Sequence, residues 1–438
     1  MRLSRRNVGL IVAVTVLPGC MKDMTEGGVS RFLGGAEPRL AETSDAPGVR
    51  NAVVRSAEVS PIIHALRTRP SVLVPGTPYD RVAQAVIASD AHVAEAELRV
   101  ARLRAEAAEK NWLPRIGPRI SLDSLGAFVA DLVVQQVLFD NGRKLAERDL
   151  AKSDVELAAV TLVEDGNRRV FDALSLYLTV QENRELRAHL DRADAEMAHF
   201  EWVMTERVRG GVSDMSDLNV IRQKRAATRA RATEAAEAAL AAQAELDAMA
   251  GYPVESVTGM GGLRVVPTGE ALDVLRAQGE RDRALAQARI ARAGHLPGLT
   301  ASAATDGSAG LEVMTDSLFG LGTMAELQAI DATRDLAERR VTEARETAQR
   351  QVASQTRQLE AYRRQADEAR GLTTQAAANL DLFRKQYEGG QRQVMDVVGV
   401  YETHARALET EIDLRFKAAR AELELARLRG ALAEGARI

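Results

Sequence analysis

The sequence predicts a mainly α-helical fold with a small β part, built of long antiparallel helical hairpins that come from an internal duplication. Three observations carry this prediction. Two very long stretches repeat apolar residues at helical spacing. The features that interrupt helix occur twice, at matching distances. Short segments of alternating polarity precede each long stretch.

Composition agrees. Of 438 residues, 46% are hydrophobic, but much of that share is Ala, which suits close helix–helix contact better than a thick globular core. Charged residues make up 27% and aromatics only 4%, a balance typical of long helices or coiled coils. The formal net charge is −4, and no block of Lys and Arg is interleaved with aromatics, so no nucleic-acid partner is expected.

Residues 1–19 read as a signal peptide. Arg2, Arg5 and Arg6 form a basic start, and Val8 to Leu17 form an apolar stretch too short to span a membrane. Cys20 is the only cysteine, which excludes internal disulfides and Cys-based zinc sites. Leu17-Pro18-Gly19-Cys20 resembles a bacterial lipobox, which makes Cys20 the expected acylated N-terminus; the alternative is an ordinary signal with an incidental Cys. Residues 20–77 hold many Gly, Pro and Ser without a sustained period and read as a lipidated tether.

Regular helix is expected from Thr77-Pro78, with Pro at the first helical position. A first repeat covers 78–251 as helix, β-hairpin, long helix, tip turn and helix, with the opening helix over 80–111. Residues 252–267, rich in Gly and Pro, form a linker. A second repeat covers 268–430, and 431–438 is a C-terminal tail. The duplication rests on pairs. Leu113-Pro114 recurs as Leu296-Pro297, and Leu138-Phe139 with Gly142 as Leu318-Phe319 with Gly322. Gly210-Gly211 with Asp217 recurs as Gly389-Gly390 with Asp396, and Gly251 as Gly430, these last sharing one offset of 179 positions.

Arg143 to Arg209 contains no proline and carries Leu157, Val160, Val163, Val170, Leu174, Tyr177, Leu190, Met197, Phe200 and Met204 at steps of three, four and seven. Its counterpart runs from Thr323 to Glu388. Each helix should be roughly 100 Å long. The shorter helices 213–250 and 268–294 are expected to stack end to end as one column, and 391–429 with 80–111 as another. That gives a wall of four columns, two continuous and two spliced.

The β segments are the alternating stretch Arg115 to Asp123 returning over Phe128 to Leu138, and Leu299 to Ala304 returning over Leu311 to Phe319 around the turn Asp306-Gly307-Ser308. Their length suits tilted strands in a bilayer. Four strands cannot close a barrel alone, so several copies would contribute.

This pattern resembles the TolC-type outer-membrane channel family over residues 78 to 430. The marks are the Leu-Pro, Leu-Phe-x-x-Gly and Gly-plus-Asp elements, above all Tyr387 to Val398. The resemblance implies a homotrimer with a twelve-stranded barrel and a periplasmic helical tunnel. It implies efflux or type I secretion, with a periplasmic adaptor and an inner-membrane transporter as partners. Met21 after Cys20 favours the outer membrane. In the family the Asp matching Asp396 lines the narrowed periplasmic entrance, with Asp217 its repeat-related counterpart; the family's second Asp is Gly399 here. The simpler reading of both is a helix-start Asp favoured by the helix dipole. Gly210, Gly211, Gly389 and Gly390 are expected at the tips, either as adaptor-docking points or simply as turns. The six histidines are scattered without metal-ligand spacing, and no Walker loop, nucleophile elbow or dinucleotide motif occurs. No catalytic residue, metal or cofactor is expected. The main alternative is a structural or adaptor-like periplasmic coiled-coil lipoprotein without a pore.

Overall fold

The computed structural model describes residues 60–90, 92–122, 128–254, 257–264, 269–315, 320 and 322–434. Cys20 and the expected signal and tether up to residue 59 lie outside them, as does Leu318-Phe319. The helices are α1 (Pro61–Arg67), α2 (Pro78–Ala88), α3 (Val93–Glu109), α4 (Arg143–Arg209), α5 (Met215–Ala250), α6 (Leu272–Gly294), α7 (Thr323–Glu388) and α8 (Val394–Leu428). The strands are β1 (Arg115–Leu122), β2 (Phe128–Phe139), β3 (Gly298–Ala304) and β4 (Ala309–Met314). The long helices have the expected bounds, at 67 and 66 residues.

The helix expected over 80–111 is two helices. His92, with φ of 54°, turns the chain between α2 and α3. The cause is a side chain from elsewhere. Arg169 of α4 donates to the Val86 carbonyl near the end of α2 and to the Met249 carbonyl near the end of α5, each at 3.1 Å. A guanidinium that satisfies final-turn carbonyls fixes where both helices stop.

The four columns are present, but their splicing differs from the expected one. α3 and α5 both pack on α4, whereas α6 and α8 both lie between α4 and α7. The junctions agree: Ser89, ending α2, lies against Gly251, ending α5, and Leu272, starting α6, lies against Gly430, just after α8. So α2 and α3 continue the α5 column, and α6 continues the α8 column. The linker carries the chain sideways across α4 instead of passing it up one column.

Buried residues fall into three clusters along the wall. One near mid-height gathers Val82, Leu174, Tyr177, Leu246, Phe416 and Leu423. A second joins α1 to α3, α4 and α6 through Leu66, Leu98, Val160 and Leu275. A third lies toward the tips. Segment 60–77, read from sequence as tether, is packed instead: Ile62, Leu66 and Val72 are buried. Its backbone joins two distant segments. Val72 donates to Ala431 at 2.8 Å and accepts from Arg264 at 2.8 Å, and Val74 donates to Gly262 at 2.7 Å. Arg69 clamps the same place, donating to the Arg429 carbonyl at 2.7 Å and to the Glu270 carbonyl. Burial holds its pKa below the ordinary arginine value, against the pull of Glu270. The tail also packs, since Leu432 donates to Asn167 Oδ1 at 3.0 Å and is buried.

The strands form one antiparallel sheet in the order β1-β2-β3-β4. Register sorts its faces, because partners across an antiparallel pair share a face. Ile116 pairs with Val134, Val134 with Ala303, and Ala303 with Ala309, which defines an apolar face that also carries Ile120, Leu132, Leu311 and Val313. Arg115 pairs with Gln135, Gln135 with Ser302, and Ser302 with Gly310, a face that also holds Arg119, Asp131 and Glu312. β4 starts two residues before the expected Leu311 and ends at Met314, and the expected stretch over 316–319 lies outside the described residues. Its partner β3 begins at Gly298, opposite Met314, so no ladder is left beyond it.

Candidate gate and docking surface at the hairpin tips

Each long helix reverses at its double glycine. In the first tip Gly210 has φ of −80° and Gly211 has φ of +73°; in the second, Gly389 has −78° and Gly390 has +74°. Only the second glycine of each pair therefore uses the left-handed region that side chains resist. Val212 donates to the Arg207 carbonyl at 2.9 Å, and Gln391 to the Gln386 carbonyl at 2.8 Å. These bonds close both helix ends in the same motif, as a duplicated sequence should.

The next helices start differently. Asp214 caps α5, its Oδ1 accepting from the Ser216 amide at 3.2 Å. That backbone bond holds its carboxyl below the usual range. Gln393 caps α8, and Asp396 completes a reciprocal box by accepting from the Gln393 amide at 3.2 Å. Asp396 is exposed in the first turn of α8, and Asp217 is half-buried in the first turn of α5. Helix-start chemistry thus accounts for one bond at Asp396. Asp214 went unnoticed in the sequence, although Asp before a helical run is itself the signal.

Above the tips the two hairpins share one core. Met197, Phe200 and Met204 of α4 meet Leu218 and Ile221 of α5, Leu380 of α7, and Val394, Val397, Val398 and Tyr401 of α8. Phe200 and Tyr401 pack edge to face with centroids 6.1 Å apart. Burial pushes the Tyr401 hydroxyl up to about 12. Charged pairs surround this core. Within the first hairpin Arg225 bridges Asp194 at 3.0 Å and Glu201 at 2.9 Å. Between hairpins Lys224 pairs with Glu402, Arg231 with Glu409, Arg384 with Glu196 at 3.0 Å, and Arg415 with Glu185. Trp202, Val212 and Met215 remain exposed beside the first tip, with His199 stacked on Trp202 at 6.2 Å.

Solved structures share this arrangement along most of the chain. The outer membrane protein VceC of Vibrio cholerae is 17% identical, with 80% of this chain and 96% of that one covered at a TM-score of 0.69. The Campylobacter jejuni CmeC outer membrane channel is 12% identical, with 91% and 95% covered at 0.70. The chain has the TolC-type channel fold. The open state of the Neisseria gonorrhoeae MtrE outer membrane channel also matches, at 15% identity, 86% and 89% coverage and a TM-score of 0.65. No protein-family model matches the sequence, and no curated protein does. At such identities the shared property is the backbone arrangement.

On this fold Gly210, Gly211, Asp217, Gly389, Gly390 and Asp396 all fall at one end, opposite the sheet. The double glycines lie at the turns themselves, and the two Asp residues lie one helical turn beyond them. Among the described residues no helix is long and apolar enough to cross a membrane, and no cluster of potential metal ligands occurs.

Proposed function

We propose that this chain is the outer-membrane channel-tunnel of a tripartite export system, a passive conduit and not an enzyme. The observation that carries the reading is the sheet. One of its faces is apolar and exposed, the other carries Arg115, Arg119, Asp131 and Glu312 around a buried Val133, and both edge strands are open. Lipid tolerates strands only in a closed barrel, so β1 of one copy must pair with β4 of the next. The edges are suited to this, because Arg115 and Arg119 on β1 and Glu312 on β4 share the polar face and differ in sign. Three copies would close the barrel and surround a tunnel with their helical walls. The structural relatives, named as outer membrane proteins and channels, support the same reading.

Under this proposal the tips, with Gly210, Gly211, Gly389 and Gly390, receive a periplasmic adaptor, and an inner-membrane transporter supplies cargo for efflux or type I secretion. Asp396 forms an acidic ring at the narrowed entrance, with Asp217 as a secondary contributor. Cys20 is acylated and anchors the N-terminal segment in outer-membrane lipid.

The deciding experiment is the mass and conductance of the purified full chain. It should be a trimer in detergent and should form ion-conducting pores in planar bilayers. A monomeric mass with intact helical circular dichroism would instead favour a coiled-coil lipoprotein without a pore. For the anchor, Cys20→Ala should lose metabolic fatty-acid label; a labelled mutant would refute the lipobox.

A further inference from the structure

Two histidines occupy the seam between the hairpins, and neither is explained by a tunnel wall. His189 of α4 is buried, at 4% exposure, and His404 of α8 is half-buried. The Nε2 of His189 and the Nδ1 of His404 are shut off from solvent without a hydrogen-bond partner among the described residues. Buried polar atoms are normally paired, so two orphans in one seam call for a reason.

The charged groups around them decide what protonation would do. Glu409 of α8 is 3.9 Å from His189 Nε2, too far for a hydrogen bond, and it is already gripped by both terminal nitrogens of Arg231 from α5. Arg192 of α4 and His404 also act on His189, both opposing a positive ring, while a backbone hydrogen bond with Ala405 of α8 favours it without outweighing burial. His404 faces Arg384 of α7, again a cation, and its ring lies 6.4 Å from that of Tyr401. Arg384 is itself held by Glu196 of α4. Burial is the main cause that lowers both imidazole pKa values below the ordinary one. Among the described residues one carboxylate therefore lies within ion-pair reach of either ring, and it is in use.

We propose that the His189–His404 seam is an acid-sensitive latch, whose protonation loosens the second hairpin from the first near the tips. A proton arriving at either ring puts charge into the seam, beside existing cations. Pairing it with a carboxylate draws Glu409 away from Arg231, which breaks a cross-hairpin pair, and solvating it opens the seam to water. The direction follows from burial. The packed state holds both rings neutral, and the parted state lets them protonate near the ordinary imidazole value of about 6.5. Packing is then at full strength above that value and weakens as pH falls through it. The latch rests on the packing of one chain's hairpins and does not require that the chain conducts.

The test uses the full chain in detergent with Cys20→Ser, spin-labelled at V212C and Q391C on the two tips. Inter-label distances should shift to longer values between about pH 7.5 and about pH 5.5, either side of an ordinary imidazole. The H189Q/H404Q double variant should keep the pH 7.5 distances at both values. H404Q alone, at the more exposed position, should shrink the shift and guards against misfolding of the double variant. Distances that ignore pH in the parent protein, or a shift that persists undiminished in both variants, would overturn the latch. Bilayer conductance of the same proteins is a separate readout. Absence of pores with an intact distance shift would refute the conduit and leave the latch standing.

Discussion

Arg231 of α5 and Glu409 of α8 meet through two parallel hydrogen bonds, of 3.0 and 2.6 Å, and so join the two repeats of the duplication. Lys224 and Glu402 form a second pair one heptad away. Both pairs are separated by 178 positions, one fewer than the repeat offset. Nearly equivalent positions of the two halves therefore lie side by side. A double-mutant cycle of Arg231→Ala and Glu409→Ala should give a coupling of about 0.2–1 kcal/mol in denaturant unfolding, because the Arg231 side chain is half exposed. Additive single effects would show that the pair contributes nothing to hairpin association.

The two glycines of a tip should respond unequally. Gly390→Ala forces a side chain into φ of +74° and should lower stability by about 1–2 kcal/mol. Gly389→Ala has φ of −78° and meets no atom closer than 3.5 Å, so its thermal midpoint should stay near that of the parent. Equal losses would mean that the tip turn is not closed as described.

Glu201 supplies a pH dependence below the range of the histidines. Hydrogen bonding from Arg225 is the main cause that holds its carboxyl below the usual value of 4.5, against burial. Asp194 behaves alike, with burial raising it and bonds from Arg225 and Arg229 overcoming that effect. A depressed carboxyl stabilises the fold above its ordinary pKa, and that contribution disappears as pH falls through the folded value. Arg225→Met should flatten the part of the stability profile below about pH 4.5 and leave the part near neutrality with its shape unchanged. Helical circular dichroism against urea at a series of pH values measures this.

Asp396→Asn separates the gate from the helix start. Asn retains size and an acceptor for the Gln393 amide, so loss of charge in the first turn should cost only about 0.3–1 kcal/mol, and trimers should persist. If Asp396 lines the entrance, cation preference in planar bilayers should fall, since rings of charge set selectivity in narrow pores. Asp217→Asn should change it less. Unaltered selectivity in Asp396→Asn trimers would leave Asp396 as a capping residue alone.

The sequence made the long axis of the fold legible and its lateral order illegible. Arg143–Arg209 and Thr323–Glu388 were readable end to end because Gly142, Gly210, Gly322 and Gly389 punctuate unbroken helical pattern. Which short helix continues which column depends on contacts such as Leu272 with Gly430, and no local pattern encodes them. The break between α2 and α3 was hidden for the same reason, since Arg169 acts from another helix. At the tips the glycines and aspartates were visible as punctuation. The seam between hairpins was not, because His189 and His404 are far apart in sequence and gain meaning only when α4 and α8 pack together. The constant repeat offset was the one available hint to that packing.

The crossing of Val72 with Arg264 and Ala431 has a mechanical consequence. The start, middle and end of the described chain are tied at one height, so a pull on the segment leading into Pro61 is taken up there. Neither the sheet at one end nor the hairpin tips at the other lies in its path. A protein held in this way can be tethered through its N-terminal side while its tips swing and its strands stay seated. One backbone bridge to the linker, one hydrogen bond to Ala431 and the guanidinium of Arg69 would thus keep such a load away from both ends of the wall.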